Sequence, residues 1–155
     1  MPIRLFDSLS RELRELKPSH SDGVYRFYNC GPTVYAAAHI GNFRTFVAID
    51  ILRRFLRQSG RKLRHVMNIT DVDDDILRKA RSLGVHYLDL AAEEIARFDR
   101  DMDALGLLPA WSEPRATSAI PEILTLIGAD HLPPIAGSTV WTPVLDGAVV
   151  TFFDA

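Results

Sequence analysis

The sequence predicts an α/β fold in which parallel strands carry helices, and three observations predict it. Val24, Tyr25, Phe27 and Tyr28 have the β-branched and aromatic bias of a buried strand, which Cys30-Gly31-Pro32 stops because proline cannot donate to a central ladder. From Asn42 onward apolar residues recur at Phe43, Phe46, Ile49, Leu52 and Leu56, three or four apart, which is the helical period. Residues 63–69 then read as a second buried strand. A strand, helix, strand unit of this length is expected to be right-handed and parallel, so both strand ends, Cys30 and Thr70, should share one edge of the sheet.

In chain order, residues 3–6 could form a short strand, and residues 11–17, rich in charge and closed by Pro18, read as a connector. The helix from Asn42 should end near Gly60, a suitable left-handed residue after the last turn. Thr70 to Asp73 looks like a capping box, with Asp73, Asp74 and Asp75 favourably placed against the dipole of a helix ending near Gly84. Four acids could also bind a divalent ion. A longer helix is expected over residues 87–105. Its inward face would hold Leu88, Ala91, Ile95, Phe98, Met102 and Leu105, with Glu93, Glu94, Arg97, Asp99 and Arg100 largely outside it. A loop with prolines and Trp111 follows, then a helix near residues 118–127 with Pro121 in its first turn. Helices without strands over this span suggest an insertion. In the tail, Asp146-Gly147 between apolar runs is a hairpin signal, weakened by Pro143.

The 155 residues, 47% hydrophobic and 25% charged, permit one globular domain with a core and argue against wholesale disorder. A formal charge of −2 gives no global pull toward nucleic acid, so RNA contact would need a local patch. Arg53, Arg54, Arg57, Arg61, Lys62 and Arg64 supply one, or else form a solvated helix face and loop. A single cysteine excludes an intrachain disulfide. With no signal peptide or long apolar span in view, a cytoplasmic protein with no membrane partner is expected.

The loop between the first parallel strand and its helix is the candidate site. A helix N-terminus there offers N–H groups and partial positive charge to phosphate, Gly41 permits close backbone approach, and His39 can donate to a phosphate oxygen. Asn42 could cap the helix or reach the ligand. A histidine before Gly-Asn is equally at home as a turn residue, and a lone Cys30 as a small buried hydrophobe.

The wording of these segments adds a resemblance. Cys30-Gly31-Pro32-Thr33-Val34-Tyr35 followed by His39-Ile40-Gly41-Asn42 closely resembles the first motif of cysteinyl-tRNA synthetases, a variant of the class I His-Ile-Gly-His motif. The likeness continues at Asn68-Ile69-Thr70-Asp71-Val72-Asp73-Asp74, at Glu113-Pro114-Arg115-Ala116-Thr117 and in the opening Leu5-Phe6-Asp7-Ser8-Leu9-Ser10-Arg11, with a weak echo over residues 147–154.

The resemblance implies the first half of a Rossmann-like class I synthetase nucleotide-binding fold at residues 1–84. A mostly helical insertion with a divergent tail and a short β-hairpin would fill residues 85–155. It implies ATP-dependent activation of cysteine and transfer to tRNA(Cys), with ATP, accompanying Mg and zinc as cofactors. His39 and Asn42 match catalytic positions, Thr33, His39, Gly41 and Asn42 the ATP contacts, Gly31 and Thr70 the cysteine pocket, and Cys30 the first zinc ligand. The family's other zinc ligands, a Cys, a His and a Glu, and its Lys-Met-Ser-Lys-Ser motif have no counterpart here. Ala36 stands where an Asp is common and Asp75 where a Lys is usual. The expectation is a truncated chain, not active alone, that needs a complementing fragment or self-associates. A ligase joining cysteine to an amino sugar and a non-catalytic nucleotide-binding paralogue are the alternatives.

Overall fold

The computed structural model describes residues 2–18 and 20–123, with the backbone of two further short strands. Its centre is a parallel pair, β3 (Val24–Asn29) and β4 (Lys62–Met67), in register from Val24 opposite Lys62 to Asn29 opposite Met67. Helix α1 (Ile40–Gln58) connects them. The predicted adjacency of the strand ends follows directly. Val34 N–H donates to Thr70 O at 3.1 Å and Thr70 N–H to Pro32 O at 3.0 Å, so the pairing runs past β3 into the candidate loop.

α1 begins two residues before the expected start and closes as predicted, with Gly60 at φ 76°. Helix α2 (Asp74–Leu83) ends on Gly84 at φ 69°, and helix α3 spans Tyr87–Ala104. Two apolar clusters hold these parts together. Val34, Ile69 and Ile76 pack with Ala80, Leu90 and Ile95, tying both helices under the strand ends. Phe43, Phe46, Met67 and Phe98 form the other, where Phe98 stacks on Phe43 with centroids 5.8 Å apart and meets Phe46 edge-on at 5.2 Å.

Several expectations are corrected. The connector at residues 11–17 contains strand β2 (Glu12–Glu15), antiparallel to β1 (Arg4–Asp7). The Asp7 carboxylate accepts from Leu9 N–H, Ser10 N–H and the Ser10 hydroxyl, and Arg11 takes φ 56°, so local turn chemistry outweighs the polar composition. The Thr70 capping box does not form. Asp73 is the N-cap of α2, accepting from Ile76 N–H at 2.8 Å, while buried Asp71 accepts from the N–H and hydroxyl of Thr117 at 2.9 and 2.6 Å. On α3, Leu88 and Leu105 are exposed, and Leu90 and Glu94 are buried instead.

The largest correction concerns the loop after Gly106. Segment 111–116 returns as a third extended strip beside β4, with bridges pairing Val66 to Ser112 and Ile69 to Arg115 in parallel. Trp111 N–H donates to His65 O, Met67 N–H to Ser112 O and Ala116 N–H to Ile69 O, at 2.8, 3.1 and 3.0 Å. Backbone groups of β4 are therefore paired on both sides, and the span is not helices alone. Beyond it lie a 3₁₀ turn, Thr117–Ala119, and a helical start at residues 120–123. The rest of the helix expected at 118–127 lies outside the described residues. In the tail, β5 (Val144–Leu145) and β6 (Ala148–Val149) pair antiparallel, as the hairpin signal predicts.

Candidate active site

A cavity of about 440 Å³ opens where the carboxyl end of β3 meets the start of α1. Cys30, Gly31, Thr33, His39 and Asn42 all line it, on one segment that the Thr33–Thr70 bridge fastens to the end of β4. Gly41 and Thr70 are not among its lining residues.

Gly31 is fixed by contact. A Cβ placed on it would lie 1.6 Å from Asn68 O, so no other residue fits this crossing of loop and strand end. Asn68, missed as a site residue, is the bracket. Its Oδ1 accepts from Gly31 N–H at 3.0 Å and from the Tyr28 hydroxyl at 2.9 Å, and its Nδ2 donates to Thr70 Oγ1 at 3.3 Å. Burial, with a smaller effect of Cys30, pushes Tyr28 up to about 12, so the phenol stays a hydrogen-bond donor at neutral pH. The signal was available, since Asn68 opens the second quoted motif. Thr70 fastens the loop through its backbone, so its position is set by pairing.

His39 and Asn42 form a reciprocal cap. His39 Nδ1 accepts from Gly41 N–H and Asn42 Oδ1 from His39 N–H, both at 3.0 Å, while His39 O accepts from Asn42 and Phe43 N–H. Three of the first four helical N–H groups are thereby taken, which corrects the expectation that they stand free for phosphate. The acceptor role of Nδ1 leaves Nε2 as the ring's donor. Gly41 serves the cap directly. A Cβ there would lie 2.7 Å from His39 Cε1 and 2.9 Å from Nδ1, so glycine is what lets the imidazole fold back.

Cys30 is exposed, not the buried hydrophobe that a lone cysteine suggests, and desolvation pushes its thiol pKa up. Its Sγ donates to Gly31 O at 3.6 Å. Zinc takes four ligands in a structural site and three in a catalytic one, and among the described residues no group of three or more His, Cys, Asp or Glu could hold an ion. The described donor set therefore does not fit zinc. The acids from Asp71 to Asp75 do not converge on an ion either: Asp71 is spent on the N–H and hydroxyl of Thr117, Asp73 on Ile76 N–H, and Asp75 pairs with Arg78 at 2.7 Å.

Sequence reasoning also missed Glu94, which lines the cavity from α3 and pairs with Arg97 at 3.1 Å. It sits one turn before Phe98, beside the apolar stripe. Among the described residues the cavity lining contains this one carboxylate and no lysine or arginine.

Residues 15–131 match the family of class I (C) tRNA synthetase catalytic domains. The chain is 54% identical over 129 residues to a cysteine–tRNA ligase of Opitutus terrae, an alignment covering 82% of this chain and 28% of that protein. It is 43% identical over 125 residues to that of Cronobacter sakazakii, and 45% over 133 residues to that of Salmonella arizonae. These alignments cover 81% and 83% of the chain and 27% and 29% of the relatives, so the chain spans under a third of their length. With a family match over most of its residues, this chain belongs to the class I (C) tRNA synthetase catalytic domains.

Proposed function

We propose that this chain carries the part of a cysteine–tRNA ligase that faces ATP and cysteine, in an enzyme that forms cysteinyl adenylate and passes cysteine to tRNA(Cys) in the cytoplasm. The observation that carries the reading is the shared cavity of Cys30, Gly31, Thr33, His39 and Asn42. Residues 1–84 would form the first half of a Rossmann-like domain and residues 85–155 its insertion and tail. Among the described residues no helix is long and apolar enough to cross a membrane.

In adenylate formation a carboxylate oxygen of cysteine attacks the α-phosphorus of ATP, and the bond to the leaving pyrophosphate breaks. Charge grows on the phosphate oxygens, and His39 Nε2–H at the positive end of α1 is the group that can meet it. Asn42 holds His39 in that orientation and Gly41 makes room for it. Thr33 and Gly31 form the wall, and Thr70 holds the loop from behind through its backbone pairing. No step passes through zinc at Cys30, because the described donors do not fit it.

One charge-assisted hydrogen bond and one dipole supply roughly 2–4 kcal/mol, which corresponds to a Kd of about 1 mM or weaker for ATP. Titrating the labelled chain with ATP-Mg and following amide shifts tests this. Saturable shifts confined to residues 30–42 are expected, reduced in His39→Ala. Shifts that avoid this segment would overturn the assignment. Cysteine-dependent ATP–pyrophosphate exchange is expected to be absent from this chain by itself.

A further inference from the structure

A second cavity, of about 420 Å³, lies at the other edge of the sheet, where β4 begins. Arg53, Arg57, Arg61, Lys62 and His65 line it, closed on one side by Pro109 and Trp111. We propose that this cavity is a phosphate-binding site, separate from the ATP-facing cleft, that accepts either a free polyphosphate or the backbone phosphates of an RNA strand.

Four cations converge on it. Arg57 and Lys62 are exposed, and among the described residues neither forms an ion pair. Arg61 is oriented by Tyr25, whose hydroxyl accepts from Arg61 Nε at 3.3 Å and whose ring lies 5.8 Å from the guanidinium. Arg53 is fixed more firmly. Its two terminal nitrogens donate to Leu108 O and Pro109 O at 2.8 and 2.6 Å, with Asp50 at 3.7 Å. Like charges held this close repel, and an anion between them relieves the repulsion. The nearby carboxylates do not fill that role. Asp50 faces Arg53 and Arg54 and accepts from Leu108 N–H, and Glu113 acts on Arg53 from the returning strip.

The buried polar inventory points the same way. Arg53 and His65 are buried to within 6% and 5% exposure, yet Arg53 Nε and His65 Nδ1 have no hydrogen-bond partner among the described residues. His65 Nε2 is engaged by Asn29 Oδ1, an acceptor, so Nδ1 is the ring's acceptor atom. Both atoms are enclosed, so neither meets the ligand itself; they mark a wall whose own polar groups are not fully paired. The cations lining the cavity favour an anion over water there. Trp111, 64% exposed with Arg64 4.9 Å from its ring centroid, adds an aromatic face of the kind on which a nucleobase stacks.

The test titrates the full chain by calorimetry with inorganic pyrophosphate and, separately, with a short single-stranded oligoribonucleotide. Arg57→Gln/Lys62→Gln should weaken binding about tenfold and lower the salt slope for the oligonucleotide by about 1.4, while the charge-matched control Lys79→Gln/Arg81→Gln on α2 should change neither. His39→Ala should also leave this binding intact, which separates it from the cleft. Loss with pyrophosphate alone assigns the site to free polyphosphate, and loss with the oligonucleotide alone to a strand. Absence of binding by both probes, or equal loss in the control, overturns the proposal. Both replaced positions are exposed, and unchanged urea midpoints would exclude misfolding as the cause.

Discussion

The cleft at the carboxyl end of β3 and the basic cavity where β4 begins are bounded by the same sheet and the same helix, yet they treat their polar groups in opposite ways. In the cleft the polar groups that shape the wall bond to one another. His39, Asn42 and Gly41 close a cap on one another, and Asn68 brackets Gly31, Tyr28 and Thr70. In the basic cavity Arg57 and Lys62 lack ion pairs among the described residues, and a donor and an acceptor stay unmet. A preformed wall of the first kind positions a ligand without reorganising, whereas an unbalanced cluster of the second kind gains most from binding an opposite charge. The first wall should resist substitution by geometry, and the second by charge and desolvation.

Substitution at Gly31 should give the largest effect. In Gly31→Ala a methyl would overlap Asn68 O at 1.6 Å, a clash with backbone that cannot move aside without breaking the Thr33–Thr70 pairing. A loss of about 4 kcal/mol or more, or failure to fold, is expected in urea denaturation. Gly60→Ala is the matched comparison, since φ is 76° but nothing lies within 4 Å of the added Cβ. It should cost only about 1 kcal/mol. Similar losses at the two positions would mean that the cleft wall is not tightly built.

On the basic side, Arg53→Met should cost about 3 kcal/mol, because the carbonyls of Leu108 and Pro109 lose their partners and the returning loop its clasp. Segment 106–116 should exchange its amides faster in consequence, which hydrogen exchange would detect.

Next in size is a pH effect from His65. Burial first, and Arg53 second, hold its pKa at about 4 against an ordinary 6.5, with Asp50 opposing. The unfolded chain therefore binds the extra proton between these values, and stability falls as pH drops through this window. From pH 7.5 to 5 this residue should remove about 2 kcal/mol. Urea midpoints at the two pH values check the size, and His65→Gln should flatten the difference. An unchanged slope in that variant would place the acid sensitivity elsewhere.

The sequence and structure agree most where information is local. Parallel strands around a helix follow from composition and period, and Gly60 and Gly84 take the left-handed turns that their positions after helices require. Asp73 capping α2 instead of Thr70 is a shift within one turn. What sequence could not reveal is long-range satisfaction of polar groups. Helical periodicity assigns Asp50, Arg53 and Glu94 to a wet face, but Leu108 and Pro109, in the loop leading to the returning strip, supply carbonyls and an N–H to the first two, and the third is buried at the cavity wall. Residues 106–116 show no strand alternation, and their prolines argue against a strand. That segment extends because β4 offers unpaired backbone groups along its second edge. At the candidate site the motifs named five residues that share one cavity, while the use of His39 as a cap was not legible, since histidine is not among the usual N-cap residues.

That cap gives the smallest and most discriminating effect. Asn42→Ala removes one side of the reciprocal pair and Asp73→Ala removes the α2 cap, and each should cost about 1 kcal/mol. By stability alone the two caps are indistinguishable. His39→Asn separates capping from ligand binding, because an asparagine side chain still accepts from a helical N–H but has no counterpart of Nε2. Its stability should stay within about 0.5 kcal/mol of the parent chain, while ATP-induced shifts over residues 30–42 should weaken at least threefold, about the worth of the weaker end of one net hydrogen bond. If stability falls and the ATP response persists, the imidazole serves only to start the helix, and the cleft would share with the α2 terminus a structural cap and nothing more.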